Sequence, residues 1–402
     1  TQNNHWSTNL SLLFSSYGSF YVVMGLLNNL IGYQHIYYYL LAYTFRVIAA
    51  LSFFPLVFSI NKNFFAALFA SLFFSVTTIG LEATNWVFNM PTYVMIAFLN
   101  FFLIFWVKFY QLAEFKSWLL SVIFFALSYL SAPLRIIAIL PFLILMEIYW
   151  LIIEKNHSHV IKKIGLFISI IAIFLILSGI INQGVGSIKW DTPFQSGIQS
   201  IQQEILHNRF NFLLYPLIIF GKLIVPINLT SLPQFSSIYD LLFFLILPVF
   251  FIYIIISLFI WKSINRFNSL GSNVYYLISI LWTLLVTYLY TIGDTFFSRS
   301  TYLLFLLIGG YFFILWCFLI FSLRKYSQLT LPLIISIILT FTSFSQTWWR
   351  TPLNVFEPTH RYLILSSVGI TLFLSSILNI YTKIKSRILL LIPLLILLLN
   401  IY

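Results

Sequence analysis

Charge is scarce in this chain: nine acids and 21 lysines and arginines among 402 residues leave charged side chains at only 7%. With 61% hydrophobic residues and a mean hydropathy of +1.00, too little polar surface remains to coat a water-soluble globule of this length. Cysteine is nearly absent too. The single Cys317 sits inside an apolar run, which excludes an internal disulfide and leaves no cysteine pair for a zinc site. No H-E-x-x-H occurs, and His157 and His159 read as solvated. The two-residue alternation of barrel strands is also missing, since the apolar runs are continuous on all faces. The net charge of +12 does not point to nucleic acid, because the lysines and arginines lie in short breaks between apolar runs, where membrane topology places them.

What the chain has instead is repeated stretches of roughly 20 mostly apolar residues, the length a helix needs to cross a bilayer. The expected fold is all-α, a polytopic transmembrane helix bundle of about twelve spans. They fall at 37–59, 63–81, 91–107, 118–132, 136–153, 164–181, 238–261, 274–292, 300–322, 329–345, 361–381 and 388–402. Residues 1–402 form a single integral membrane domain, with 1–36 an outer interfacial segment and 182–237 an outer loop followed by an interfacial or re-entrant element. Aromatic residues, 20% of the chain, read mostly as lipid-facing or packing groups.

Alternating crossings put Lys62, Lys108, Lys116, Lys155, Lys162, Lys163, Lys262, Arg266, Arg324, Lys325, Lys383, Lys385 and Arg387 on the cytoplasmic side. Most acids collect on the other side: Glu82, Asp191, Glu204, Asp240, Asp294 and Glu357. Any chemistry is therefore expected outside the plasma membrane. Sidedness also requires that 211–237 does not cross, although N-F-L-L-Y-P-L-I-I-F-G-K-L-I-V-P is apolar; Pro216, Gly221, Lys222 and Pro226 interrupt it. Residues 11–32 are expected to lie on the membrane surface in the same way. The sequence starts at Thr1 without a basic n-region or cleavage site, and entry from outside at Tyr37 leads us to expect an N-terminal truncation that removed a helix.

Three segments carry a resemblance. I-G-L-E-A-T-N-W-V-F-N-M-P-T-Y at 79–93, S-W-L-L-S-V-I-F-F-A-L-S-Y-L-S-A-P-L-R-I-I-A-I-L-P-F-L at 117–143 and H-R-Y-L-I-L-S-S-V-G at 360–369 resemble, in this order, motifs of the GT-C glycosyltransferases. The likeness is nearest to the polyprenyl-phosphate-sugar-dependent protein O-mannosyltransferase type. Ser366 stands where that signature more often has Pro. The resemblance implies an inverting transferase that takes a sugar from a lipid-linked phosphate on the outer face and passes it to an acceptor hydroxyl or amide, a protein or a glycan of the cell envelope. It also implies a catalytic Asp in the first outer loop, and residues 1–30 contain no acid.

The candidate residues follow. Glu82, near Trp86, can accept a proton or hold an acceptor, and equally suits an interfacial acid beside an aromatic belt. Arg361, with His360 and Tyr362, begins a span where a guanidinium can clamp a lipid phosphate through two parallel hydrogen bonds; a snorkelling arginine is the plain alternative. Arg135 breaks the positive-inside preference at an outer turn, so it needs a phosphate or an outer acid as partner. Arg46, inside the first span, must face the bundle interior, where a carboxylate of another helix can pair with it. Asp191 and Glu204 lie in the long outer loop as acceptor contacts or solvated acids, and Glu357 just precedes the His-Arg-Tyr segment. No metal site is expected, and a divalent cation is compatible with these residues without being demanded by them. A polysaccharide polymerase or O-antigen-ligase-like enzyme would share the spans, the long outer loop and the outward arginines. A transporter or flippase would show matching broken helices in two halves, and the interrupted element at Pro226 has no counterpart in the first half.

Overall fold

A computed structural model of the chain describes residues 20–32, 34–80, 90–153, 157–183, 199, 202–203, 205–207, 213–225, 235, 237–264, 272–291, 300–324, 326–344, 363–384 and 387–401. Continuous apolar runs have no way to satisfy their backbone groups except within one helix, and helices are what form. They are α1 (Phe20–Ile31), α2 (His35–Asn61), α3 (Phe64–Val76), α4 (Pro91–Leu112), α5 (Phe115–Ser131), the single turn α6 (Pro133–Ile136), α7 (Ile139–Ile153) and α8 (His157–Gln183). After these come α9 (Tyr215–Ile224), α10 (Ile238–Leu241), a π turn (Leu242–Ile246), α11 (Leu247–Ile264), α12 (Ser272–Thr291), α13 (Ser300–Ser322), α14 (Ser327–Ser343), α15 (Ile364–Ile384) and α16 (Arg387–Ile401). No strand occurs among the described residues.

Every segment expected to span contains a helix. Six helices are long and apolar enough to cross a bilayer: α2, α4, the run from Ile238 to Leu258, α12, α13 and α15. That is compatible with a multi-pass membrane protein; α3, α5, α7 and α14 are apolar but shorter.

Local signals set the joints. Asn63 caps α3 by accepting from the Ala66 N–H at 3.1 Å. The same side chain donates to Thr382 Oγ1 at 2.7 Å and to Asn379 Oδ1 at 3.3 Å, tying the α2–α3 turn to the last turns of α15. Lys62 and Ala113 take the left-handed conformation that ends α2 and α4 and lets the chain reverse at once. Pro91 starts α4, where its missing N–H is no loss. Ser237 caps α10, accepting from the Asp240 N–H and donating to Asp240 Oδ2.

α15 is the axis of the assembly, packed against α14, α3, α16, α2, α4 and α9. Small residues bring the neighbours close. A side chain at Gly369 would run into the Thr340 hydroxyl and the Ser336 carbonyl of α14. Ser343 and Ser366 share a 2.5 Å hydrogen bond across the same contact. Phe373 stacks on Trp316 with ring centroids 3.9 Å apart, and the Trp316 indole N–H donates to the Leu333 carbonyl at 3.1 Å.

The sequence reading laid 211–237 on the membrane surface or as a re-entrant stretch. Its described helix, α9, is buried from Ile218 to Ile224, which is compatible with the re-entrant alternative. Each interrupting residue has a place in this. Pro216 sits in the first turn, Val225 caps the helix just before Pro226, and Gly221 meets the backbone of Phe305 and Gly309 at a crossing with α13 too tight for any side chain. The described part of 11–32, α1, keeps exposed Leu26 and Leu30 and packs Met24 and Leu27 against Tyr38, Ala42 and Met90.

Candidate functional site

Of the residues singled out by sequence, Glu82, Trp86, Asp191, Glu204, Glu357, His360, Arg361 and Tyr362 lie outside the described residues. Arg135 is described. The structure does, however, fix the chain on either side of the two motif-bearing stretches, and it brings those anchors together.

The first anchor follows from the length of α3. At a rise of about 1.5 Å per residue, its 13 residues span about 20 Å, half the length of the 27-residue α2 beside it. α3 therefore stops inside the bundle, where its last carbonyls would have no water to bond. Arg46, buried in the middle of α2, donates from a terminal guanidinium nitrogen to the carbonyl of Thr77, the residue that caps α3. A cation at a helix C-terminus also meets the negative end of the helix dipole. The sequence allows Arg46 a carboxylate of another helix as partner; the Thr77 main-chain carbonyl is one partner that the structure shows.

Beyond Thr77 the chain turns. The Ile79 N–H donates to Thr77 Oγ1 at 3.3 Å, and Gly80 has φ +71°, a conformation that favours glycine. Gly80 is pressed onto the first turn of α15: a Cβ added there would stand 2.8 Å from the Ile364 Cα. Glu82 is two residues after Gly80 and Arg361 three residues before Ile364. Thus the segments at 79–93 and 360–369, far apart in sequence, leave from one shared point. The far flank of the first segment is also fixed, since Met90 is fully buried against Tyr38 and Ala42 of α2.

Two further cations belong to the same half of the bundle as this junction. Arg135 is buried in α6, the turn that follows α5, and that end of α5 is tied to the start of α4 by the Ser128 hydroxyl donating to the Met95 carbonyl at 3.0 Å. Lys222 is buried in α9, with its ammonium 5.8 Å from the Tyr302 ring and 5.6 Å from the Phe305 ring, within reach for cation–π attraction. The opposite end holds a different arrangement. There the Lys163 ammonium is 5.0 Å from the Trp150 ring and 5.3 Å from the Tyr110 ring, and Glu147 feels its charge. That set, buried except for the half-buried Trp150, ties α4, α7 and α8 together.

Sequence reasoning gave no role to Thr77, Gly80 or Ile364. Gly80 and Ile364 lie inside the two quoted segments, and Thr77 belongs to the interruption Thr-Thr-Ile-Gly at the end of an apolar run. Lys222 was read as one of several breakers, and nothing in its local sequence announced that it would be buried. No protein-family model, curated protein or solved structure matches this chain.

Proposed function

We propose that this chain is a multi-pass membrane glycosyltransferase that moves a sugar from a lipid-linked phosphate donor to an acceptor on the extracytoplasmic side. The observation that carries the reading is the Gly80–Ile364 contact, because it joins the anchors of the two segments that resemble GT-C motifs. Transfer from a lipid phosphate needs a base at the acceptor hydroxyl and a cation at the departing phosphate, held a few ångströms apart. Glu82 and Arg361 supply those two chemistries from the stretches that start at the junction. Arg135, His360 and Tyr362 add donors for the phosphate. Trp86, Asp191, Glu204 and Glu357 are left for the acceptor, with a divalent cation compatible with the acids.

In this reading the lysine-bearing turns face the cytoplasm, and the chain crosses about twelve times. Helices too short to cross through lipid alone are accommodated because protein and not lipid covers their ends, as at Thr77. The protein sits in the plasma membrane with the junction in the outer half. Alkaline-phosphatase fusions at Asp191 and Lys262 check the sidedness: activity at 262 and none at 191 would invert it.

The reaction is tested with the chain in lipid nanodiscs, supplied with a set of polyprenyl-phosphate hexoses, by following release of polyprenyl phosphate. Turnover is expected for at least one donor, and Arg361→Ala should lower it about 100-fold. Failure of every donor to turn over would sink the transferase reading. Full activity in Arg361→Ala would remove that residue from the site.

A further inference from the structure

We infer that the Tyr110, Glu147, Trp150 and Lys163 set, at the end of the bundle opposite the Gly80–Ile364 junction, is a headgroup site for a membrane lipid that carries both a phosphate and a primary ammonium, the phosphoethanolamine chemistry. The inference uses the membrane placement of the chain and does not depend on which reaction it performs. Its centre is two donors with nothing to bond. The Tyr110 hydroxyl and the Trp150 indole N–H are buried and have no hydrogen-bond partner among the described residues, although their rings stack with centroids 5.3 Å apart. A buried donor left unanswered is costly, and a site that keeps two of them together is built to receive an acceptor. The Lys163 ammonium stands 5.3 Å from the first ring and 5.0 Å from the second and brings a positive charge to the same place, whatever else it bonds. A hydroxyl, an indole N–H and an ammonium in one place match the oxygens of a phosphate.

Glu147 narrows the choice. Its buried carboxylate feels the Lys163 charge, so the formal charges of the pair cancel, and a head with only negative charge would meet a carboxylate. A primary ammonium answers it, because it donates to the carboxylate and is also attracted to the faces of Tyr and Trp rings. A choline head offers the second attraction without the N–H.

The surroundings suit acyl chains. Within about a turn of Glu147 and Trp150, the side chains of Ile148, Leu151 and Ile152 on α7 are exposed, and Ile164 and Ile168, which follow Lys163 on α8, are exposed too. Gly165 leaves open space where a Cβ would stand. Glu147 and Lys163 are buried whereas Trp150 is half-buried, so the headgroup reaches the charges past the Trp150 ring while its chains lie along the exposed faces. Basic pockets between transmembrane helices hold lipid heads in this way.

The test uses the whole chain, purified in detergent and mixed with equal amounts of phosphatidylethanolamine, phosphatidylcholine and phosphatidylglycerol of the same acyl chains, with retained lipid counted by native mass spectrometry. The wild type should keep phosphatidylethanolamine about tenfold over either of the others. Tyr110→Phe and Trp150→Phe each delete one donor and should each lower that retention about three- to tenfold. Glu147→Gln should erase the preference for ethanolamine over glycerol heads. Tyr110→Phe keeps the ring and its packing, so it carries the test if the other variants fail to fold, and without lipid it should be at least as stable as the wild type, an unanswered buried hydroxyl having been removed.

Equal retention of the three lipids by the wild type overturns the inference, as does undiminished retention in Tyr110→Phe. A marked loss of stability in lipid-free Tyr110→Phe also overturns it, by showing that the hydroxyl is bonded within the protein. A preference for phosphatidylglycerol overturns the phosphoethanolamine assignment, and displacement of the lipid by an equal concentration of soluble glycerophosphoethanolamine overturns the lipid as occupant.

Discussion

α15 and α12 are both apolar helices of membrane-spanning length, yet they are held in opposite ways. Buried residues make up 94% of the most apolar stretch of α15 and 17% of that of α12. α15 is surrounded by protein, and its polar residues, among them Ser366, Ser367, Thr371, Ser375, Ser376 and Asn379, are buried with its apolar ones. Small side chains there let neighbouring backbones approach, which is how helices associate when no water drives them together. α12 shows exposed Leu277, Leu281 and Leu284 and is fastened along one seam of hydroxyls. Tyr275 bonds Ser257 at 2.6 Å, Ser279 bonds Tyr253 at 3.1 Å, and Thr283 bonds Tyr311 at 2.7 Å. The lesson is that apolarity places a helix in the membrane phase, whereas the spacing of small and polar residues decides its neighbours.

Substitutions in the two helices should separate these modes of attachment, with stability followed by unfolding in mixed micelles. The largest effect is expected at Phe373→Ala, which strips the ring stacked on Trp316 in a fully buried site and should destabilise by about 3–5 kcal/mol. A loss below about 1 kcal/mol would mean that α15 is not the packed axis. Next comes Tyr311→Phe, expected to cost about 0.5–1.5 kcal/mol by removing the bond to Thr283. A double-mutant cycle with Thr283→Val should recover that coupling, and additive single effects would show that the seam does not fasten α12. The smallest is Leu281→Ala on the exposed face of α12, expected within about 0.5 kcal/mol. A large loss there would reveal a protein partner where lipid is expected.

Much of the fold was legible because helix content in this chain follows from hydropathy alone. Each expected span contains a helix, six of these helices are long and apolar enough to cross a bilayer, and the joints at Asn63, Pro91 and Ser237 carry capping or starting residues readable by type. The candidate site was legible only as chemistry. Arg135 could be noticed because it breaks a charge rule; in the structure it is buried. Gly80 and Ile364 offered no such exception: their importance is a contact between residues 284 positions apart, and no local pattern encodes it. α9 was legible only as an interruption, for a related reason. Proline, glycine and lysine in an apolar run signal an interruption, but the same residues serve a surface helix and a buried one, and the choice depends on whether α13 presents Gly309 opposite Gly221.

By itself, then, the sequence determined the solvent and the building block: a chain with so few charges and such long apolar runs belongs in a bilayer, where backbone groups can be satisfied only within helices. Which helices touch was left to tertiary structure, because between apolar helices no residue-by-residue preference for burial distinguishes lipid from protein. The early stop of α3, the guanidinium that answers it and the meeting of Gly80 with Ile364 are consequences of packing, settled only when α2, α3 and α15 lie side by side.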